Sequence, residues 1–185
     1  AVHQAGRNRW EARAAYAAYD SENQSNFPGT QQGRNISAEV VYKREWGDHF
    51  YSLAGITFLS DKAALEQDKR FTLTDPYLNL VWLGPGRFNL NTGIRYNVHS
   101  EYGGAGVYQV NPSWSLPVGA GYLKVFGSWA TSYITPSLLQ LFGPFGANPE
   151  LAPERNRTLE TGLEWKATNA FRLNLLFFNR LEEAV

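Results

Sequence analysis

The sequence contains no cysteine and no methionine, and its charges cancel, with 17 Lys and Arg against 17 Asp and Glu in 185 residues. The missing cysteine excludes a disulfide scaffold, a thiolate zinc site and a cysteine nucleophile, without fixing the redox compartment. The missing basic surplus argues against nucleic acid as a partner, because neutralising phosphates needs excess Lys and Arg. No apolar run is long enough for a transmembrane helix, which needs about 18 residues or more. That absence does not exclude a transmembrane β-barrel, whose strands hide a lipid face by alternation. The chain opens Ala1-Val2-His3, with no basic segment and no apolar core of a signal peptide. It stops just after strand-like sequence, so the expectation is a fragment or a processed chain.

What is present is aromatic and alternating. There are 11 Phe, 10 Tyr and 6 Trp. Helical periodicity is nearly absent, and period-two alternation dominates. Over Arg87–His99, Arg87, Asn89, Asn91, Gly93, Arg95 and Asn97 fall on one face. Phe88, Leu90, Thr92, Ile94, Tyr96 and Val98 fall on the other. Such a strand is long for a soluble domain and suits a tilted membrane-spanning strand. Ile36–Lys43, Leu123–Tyr133, Thr158–Lys166, Phe171–Arg180 and Arg9–Ala18 alternate in the same way, and 50–60, 76–83 and 106–115 do so more weakly. The pattern predicts about nine strands of an antiparallel up-and-down barrel, part of a larger one.

The connections add a second signal. Long or medium polar stretches (Asp20–Gly33, Asp61–Asp75, Ser100–Ala105, Ile134–Asn156) alternate with short ones at 45–48, 84–86, 116–120 and 167–170. Outer-membrane barrels place short turns on one side and longer loops on the other. Trp10, Trp46, Trp82, Trp114 and Trp165 all fall near the short-turn side, as an interfacial girdle would, and Trp129 falls toward the other. The competing reading puts these tryptophans in the core of a soluble β-sandwich.

Motifs for catalysis and metal binding are weak. Glu160 and Glu164 share a strand face but stand roughly 13 Å apart, too far for a retaining carboxylate pair. They read as solvated charges facing a lumen, with Arg87, Arg95 and Arg172. His3, His49 and His99 lack ligand spacing and read as solvated or interfacial. The glycine-rich turns lack the Lys-Ser/Thr of a phosphate loop, and no Gly-x-Ser-x-Gly elbow occurs. No nucleophile–base pair supports an outer-membrane hydrolase, so the chain is not expected to be an enzyme. Asp20, Asp61, Asp68 and Asp75 offer loop carboxylates for calcium, without the spacing of a calcium loop.

The strongest local feature spans Tyr122–Lys166. Tyr133-Ile134-Thr135-Pro136-Ser137-Leu138 leads through Gln140-Leu141-Phe142-Gly143-Pro144 to Asn148-Pro149, Leu151 and Pro153-Glu154, then Glu160, Gly162-Leu163-Glu164. An excursion of this size is uncommon unless functional. Its Leu and Phe side chains either line a ligand mouth or pack the loop onto the rim.

This segment resembles the late barrel of TonB-dependent outer-membrane receptors, specifically over about residues 120–182 and more loosely over 76–119, where Tyr77-Leu78-Asn79 and Gly93–Gly103 fit. Residues 1–75 match in pattern only. The resemblance implies a 22-stranded barrel closed by a plug, with residues 1–185 forming one barrel segment and the plug and remaining strands outside it. It also implies a Gram-negative outer-membrane location, contact with membrane lipid, and energy delivered by TonB through the plug. The cargo would be a scarce, bulky nutrient such as a ferric siderophore or cobalamin, so that iron or cobalt enters as cargo and no resident cofactor is expected. Phe142, Phe145 and Asn148 are the ligand-contacting candidates, together with the Asp20–Gly33 loop. The alternative is a soluble, lectin-like β-sandwich in which loop aromatics stack on sugars.

Overall fold

A computed structural model describes residues 1–24, 29–64, 68–143 and 146–184. Among these residues the chain forms ten strands, one short α-helix and a single 3-10 turn at Pro85–Arg87. The strands are β1 (Val2–Ala5), β2 (Asn8–Asn23), β3 (Gly29–Glu45), β4 (Phe50–Ala64), β5 (Asp68–Leu83) and β6 (Phe88–His99). They continue with β7 (Gly103–Val118), β8 (Gly121–Ile134), β9 (Glu154–Lys166) and β10 (Arg172–Ala184), with helix α1 (Leu138–Phe142) between β8 and β9. Every strand pairs antiparallel with its sequence neighbour, in one open sheet ordered β1 to β10. The strand beyond the expected nine is the short β1. A β-sandwich needs a second sheet packed face to face, and all ten strands lie in one.

Register carries the two faces across the sheet. Trp10 stands opposite Tyr42, Val40 opposite Ile56, and Ala54 opposite Leu78. The same side continues through Ile94, Tyr108, Trp129, Leu159 and Leu175. This face is apolar and uncovered; Ile94 at its middle is 62% exposed. Glu11, Arg13, Glu39, Tyr77, Arg95, Gln109, Lys124, Glu164 and Arg172 occupy the opposite face by the same alternation. An uncovered apolar face of this extent marks a surface that meets something other than water. On β10 the alternation lapses, since Leu176 and Phe178 stand exposed on the polar side. Arg87 also leaves the expected face: it sits in the tight turn after Pro85 with φ +63.

The aromatic girdle is present at one rim. Trp10, Trp46, Trp82, Trp114 and Trp165 lie beside the connections 6–7, 46–49, 84–87, 119–120 and 167–171, all at one end of the sheet. All five are exposed. Trp10 packs on Tyr42 with ring centroids 4.4 Å apart, Trp82 on Phe88 at 5.8 Å and Trp165 on Phe171 at 5.8 Å. The Trp114 indole donates to the Gly86 carbonyl at 2.9 Å, and that of Trp46 donates to Ser52 Oγ at 2.9 Å. Amphipathic rings with a satisfied N–H and an exposed body suit a membrane–water interface.

The expected long loops prove to be mostly strand. β2 and β3 stay paired up to Asn23 and Gly29, and β4 and β5 up to Ala64 and Asp68. The described parts of Asp20–Gly33 and Asp61–Asp75 are therefore paired strand, and among the described residues the long excursion is the stretch between β8 and β9. The physical reason is that a ladder standing in water has two polar faces and loses its alternation. Asp20, Asp61, Asp68 and Asp75 lie on strands, not in loops.

Candidate functional site

The polar face carries a lattice of charges across several strands. Glu11 holds Arg9 at 3.3 Å and Arg13 at 2.7 Å, and Arg13 reaches Glu39 at 3.9 Å. The Tyr77 hydroxyl donates to Glu39 Oε1 at 3.0 Å, and the Arg95 guanidinium lies 5.4 Å from the Tyr77 ring centre. Gln109 donates to Asn79 Oδ1 at 3.3 Å. Further along, the Tyr122 hydroxyl donates to Glu164, which faces Arg172 Nε at 3.8 Å. Tyr77, Asn79, Arg95, Asn97, Gln109 and Ser132 line a shallow recess of about 270 Å³ on this face. These pairs are largely solvated and add little to stability. Their effect is a wall of fixed donors and acceptors against which a polar solute or a polar protein segment can lie.

At the end opposite the girdle, residues 135–153 fold over the polar face. Ser137 caps α1: its hydroxyl accepts from Gln140 N at 3.3 Å while Gln140 Oε1 accepts from Ser137 N at 2.9 Å. This reciprocal box fixes the helix start. Leu138, 4% exposed, packs with Ala63 of β4 and Phe71 of β5, and Leu59, Leu73 and Phe142 close around them. The excursion leaves β8 yet docks on β4 and β5, so it spans the polar face above β6 and β7. The Tyr102 hydroxyl, in the β6–β7 turn, donates to the Leu151 carbonyl at 3.0 Å and ties down the far side. Burial pushes the Tyr102 phenol above its usual value.

Several polar groups toward this end of the polar face are buried, which sequence reasoning missed. His99, expected to be solvated or interfacial, is 2% exposed. Its ring sits 4.8 Å from Phe71 and 5.0 Å from Tyr102, and its Nδ1 accepts from Glu101 N at 3.0 Å. Asp75 and Asn156 are buried as well. Among the described residues, Asp75 Oδ1, Asn97 Oδ1, His99 Nε2 and both Asn156 amide atoms lack a protein partner. A buried orphan costs about 1–3 kcal/mol, so these groups are a place for water or a polar ligand. The available signal was register: Asp75 and Asn97 face each other between the Leu73–His99 and Tyr77–Arg95 pairs.

The three ligand candidates separate. Phe142 is half-buried in the α1 cluster, with Lys69 Nζ 4.7 Å from its ring centre. Asn148 is exposed; its Oδ1 accepts from Glu150 N at 3.0 Å and its own N donates to Gln140 O at 2.9 Å. Phe145 lies outside the described residues. Among the described residues no three His, Asp or Glu side chains converge as a metal site. The four aspartates named for calcium are dispersed: Asp68 pairs with Lys62, and Asp20 accepts from Gln32 at 3.1 Å.

Comparison with known proteins agrees with this geometry. The model of the family described as TonB dependent receptor-like, beta-barrel matches residues 2–180. The siderophore receptor PirA from Pseudomonas aeruginosa superposes with a TM-score of 0.70 at 16% identity, over 95% of this chain and 39% of that one. A mutant of the ferric enterobactin receptor PfeA from Pseudomonas aeruginosa gives 0.72 at 14% identity, over 95% and 32%. The copper transporter OprC gives 0.64 at 14% identity, over 86% and 34%. The chain thus spans between 32% and 39% of the length of these structures.

Proposed function

This chain belongs to the TonB-dependent receptor β-barrel family, and on that premise we propose that the whole protein imports a ferric siderophore. Barrels of this family lie in the outer membrane of Gram-negative bacteria and serve transport, not catalysis. The apolar face of the sheet then meets lipid and the polar face lines the lumen. The observation that carries the import reading is the mouth: a capped helix and its excursion folded inward across the polar wall, at the end where buried polar groups lack partners. A channel wall alone needs no such cover.

The ligand is captured at this outer mouth, where Phe142 and Asn148 stand on the excursion, Asn148 exposed and Phe142 half-buried. Arg95 and Lys124 supply cations along the lumen for a chelate that carries negative charge. TonB acts through a plug, whose displacement opens the path along the polar face. Among the structures compared, one is a siderophore receptor and another a ferric enterobactin receptor by name, which favours a ferric siderophore over cobalamin as the cargo.

The test is a binding screen of the full-length receptor against ferric siderophores, cobalamins and copper(II). Saturable binding of a ferric siderophore, with siderophore-dependent growth under iron limitation, is the expected result. Saturable binding of cobalamin or copper with none of the siderophores overturns the proposal.

A further inference from the structure

Both ends of the excursion are held by rings that flank one histidine. At its start, Leu138 of α1 packs in one cluster with Phe71 of β5. At its end, the Leu151 carbonyl accepts from the Tyr102 hydroxyl at 3.0 Å. His99, the last residue of β6, lies between these two anchors. Its ring centre is 4.8 Å from that of Phe71 and 5.0 Å from that of Tyr102.

The residue type is the clue. His99 is 2% exposed between two aromatic rings, a slot that phenylalanine would fill with no polar atom to satisfy. The imidazole instead leaves Nε2 buried and, among the described residues, without a partner, which is costly. What only the imidazole adds is an acceptor. Nδ1 accepts from Glu101 N at 3.0 Å, so the neutral ring carries its proton on Nε2. The acceptor stands two residues before the amide that it binds, the spacing at which a side chain closes a turn. Ser100 pins the same turn to β5: its N donates to Thr72 O at 3.0 Å, and its Oγ accepts from Thr72 N at 3.1 Å. With Ser100 and Glu101 both held, Tyr102 leaves the turn in one direction, its ring against His99 and its hydroxyl on Leu151.

Leu151 in turn closes a second turn. Its N donates to Asn148 O at 3.2 Å, and Asn148 Oδ1 accepts from Glu150 N at 3.0 Å. Asn148 at the first position and Pro149 at the second are favoured in such a turn. Holding Leu151 therefore holds Asn148, the exposed candidate for ligand contact. Direct contacts run from His99 through Tyr102 and Leu151 to Asn148.

We propose that His99 is a positioning residue for ligand capture: by fixing the 100–102 turn it aims Tyr102 at Leu151 and holds the Asn148 turn at the mouth. This role rests on the import reading, which places capture there.

The experiment uses the full-length receptor, folded in non-ionic detergent, cleared of other cysteines and carrying one nitroxide at Glu150→Cys, an exposed position. The mobility of the label reads the turn with no ligand present. Affinity for the ferric siderophore selected by the binding screen reads capture. His99→Phe keeps a ring in the slot and removes the acceptor. The label should become more mobile, and affinity should fall about tenfold, the upper range for one lost hydrogen bond. His99→Asn removes the ring and returns an acceptor at the same spacing, so it should restore most of the restraint and of the affinity. Tyr102→Phe should match His99→Phe, and the double variant should be no worse than either single, because both cut one tie. A ring that only fills space predicts the reverse order, with Phe tolerated and Asn not. That order, additive losses in the double variant, or an unchanged label after Tyr102→Phe overturns the proposal. Tyr102→Phe removes a single oxygen and reads the same tie where a His99 variant does not fold. A label that responds as expected in a receptor that binds none of the ferric siderophores contradicts the import reading alone.

Discussion

Tyr77 of β5 reaches over β4 to donate its hydroxyl to Glu39 of β3 at 3.0 Å, and its ring passes across Gly55, the residue directly opposite. A Cβ built on Gly55 would stand 2.5 Å from that ring. Glycine here is the condition for the contact: the ring covers the bare backbone and the hydroxyl reaches the next strand. Phe126 lies over Gly162 in the same way on β8 and β9. Such aromatic–glycine pairs fix register across a sheet.

Gly55→Ala should displace Tyr77 and break its bond to Glu39. The expected cost is about 1.5–3 kcal/mol, the range for a hydrogen bond to a charged group. Urea unfolding of the receptor in detergent measures it. On a Tyr77→Ala background the same substitution should cost almost nothing, since the ring it clashes with is gone. Equal costs on both backgrounds would remove the ring from the explanation.

The lipid face predicts a depth dependence. Ile94→Arg, near the middle of the apolar band, should cost about 2–4 kcal/mol, and Leu173→Arg, beside Trp165 at the rim, about 1 kcal/mol or less. Leu173 stands directly opposite Trp165, which sets its height. Refolding equilibria into lipid vesicles give both values. Similar costs at the two positions would contradict the assignment of the band.

The inward-folded excursion predicts a local effect. Leu138→Ala empties a site among Ala63, Phe71 and Phe142. A buried Leu→Ala change costs about 2–5 kcal/mol, here borne by the docking of residues 135–153, not by the strand ladder. Limited proteolysis should cut between Ala147 and Pro153 in the variant, while the heat-dependent gel mobility of the barrel stays unchanged.

Ligand affinity separates the two described candidates. Asn148→Ala removes an exposed side chain whose contact is to Glu150 N, so a fall in siderophore affinity of tenfold or more without added protease sensitivity marks direct contact. Phe142→Ala should lower affinity together with excursion stability, because Phe142 also packs on the helix cluster. Isothermal titration and proteolysis on the same samples distinguish the two patterns.

Much of the wall was legible in the sequence. The alternation over 88–99 and the five tryptophans at one end are direct consequences of a sheet with lipid on one side and water on the other. What was not legible lies outside the membrane. There both faces of a strand meet water, so Asp20–Gly33 and Asp61–Asp75 read as loops although the described parts of their backbones are paired. The inward fold of the excursion was half legible. Ser137 and Gln140 have capping-box spacing, and Leu138 and Leu141 have helical spacing, but nothing local says that they dock on β4 and β5. The burial of His99 was hidden for the same reason, since Phe71, one of the rings packed against it, is far away in sequence.

The central claim is that even-numbered residues of β6 face lipid and odd-numbered residues face the lumen. This chain contributes no cysteine of its own; single cysteines placed along 89–97 of a full-length receptor cleared of any others can be spin-labelled in lipid bilayers. Paramagnetic accessibility to oxygen and to a water-soluble nickel chelate then reads each position. The account predicts a strict period of two, with oxygen favoured at 90, 92, 94 and 96 and the nickel chelate at 89, 91, 93, 95 and 97. Uniform accessibility, or the same period with the opposite phase, would contradict it.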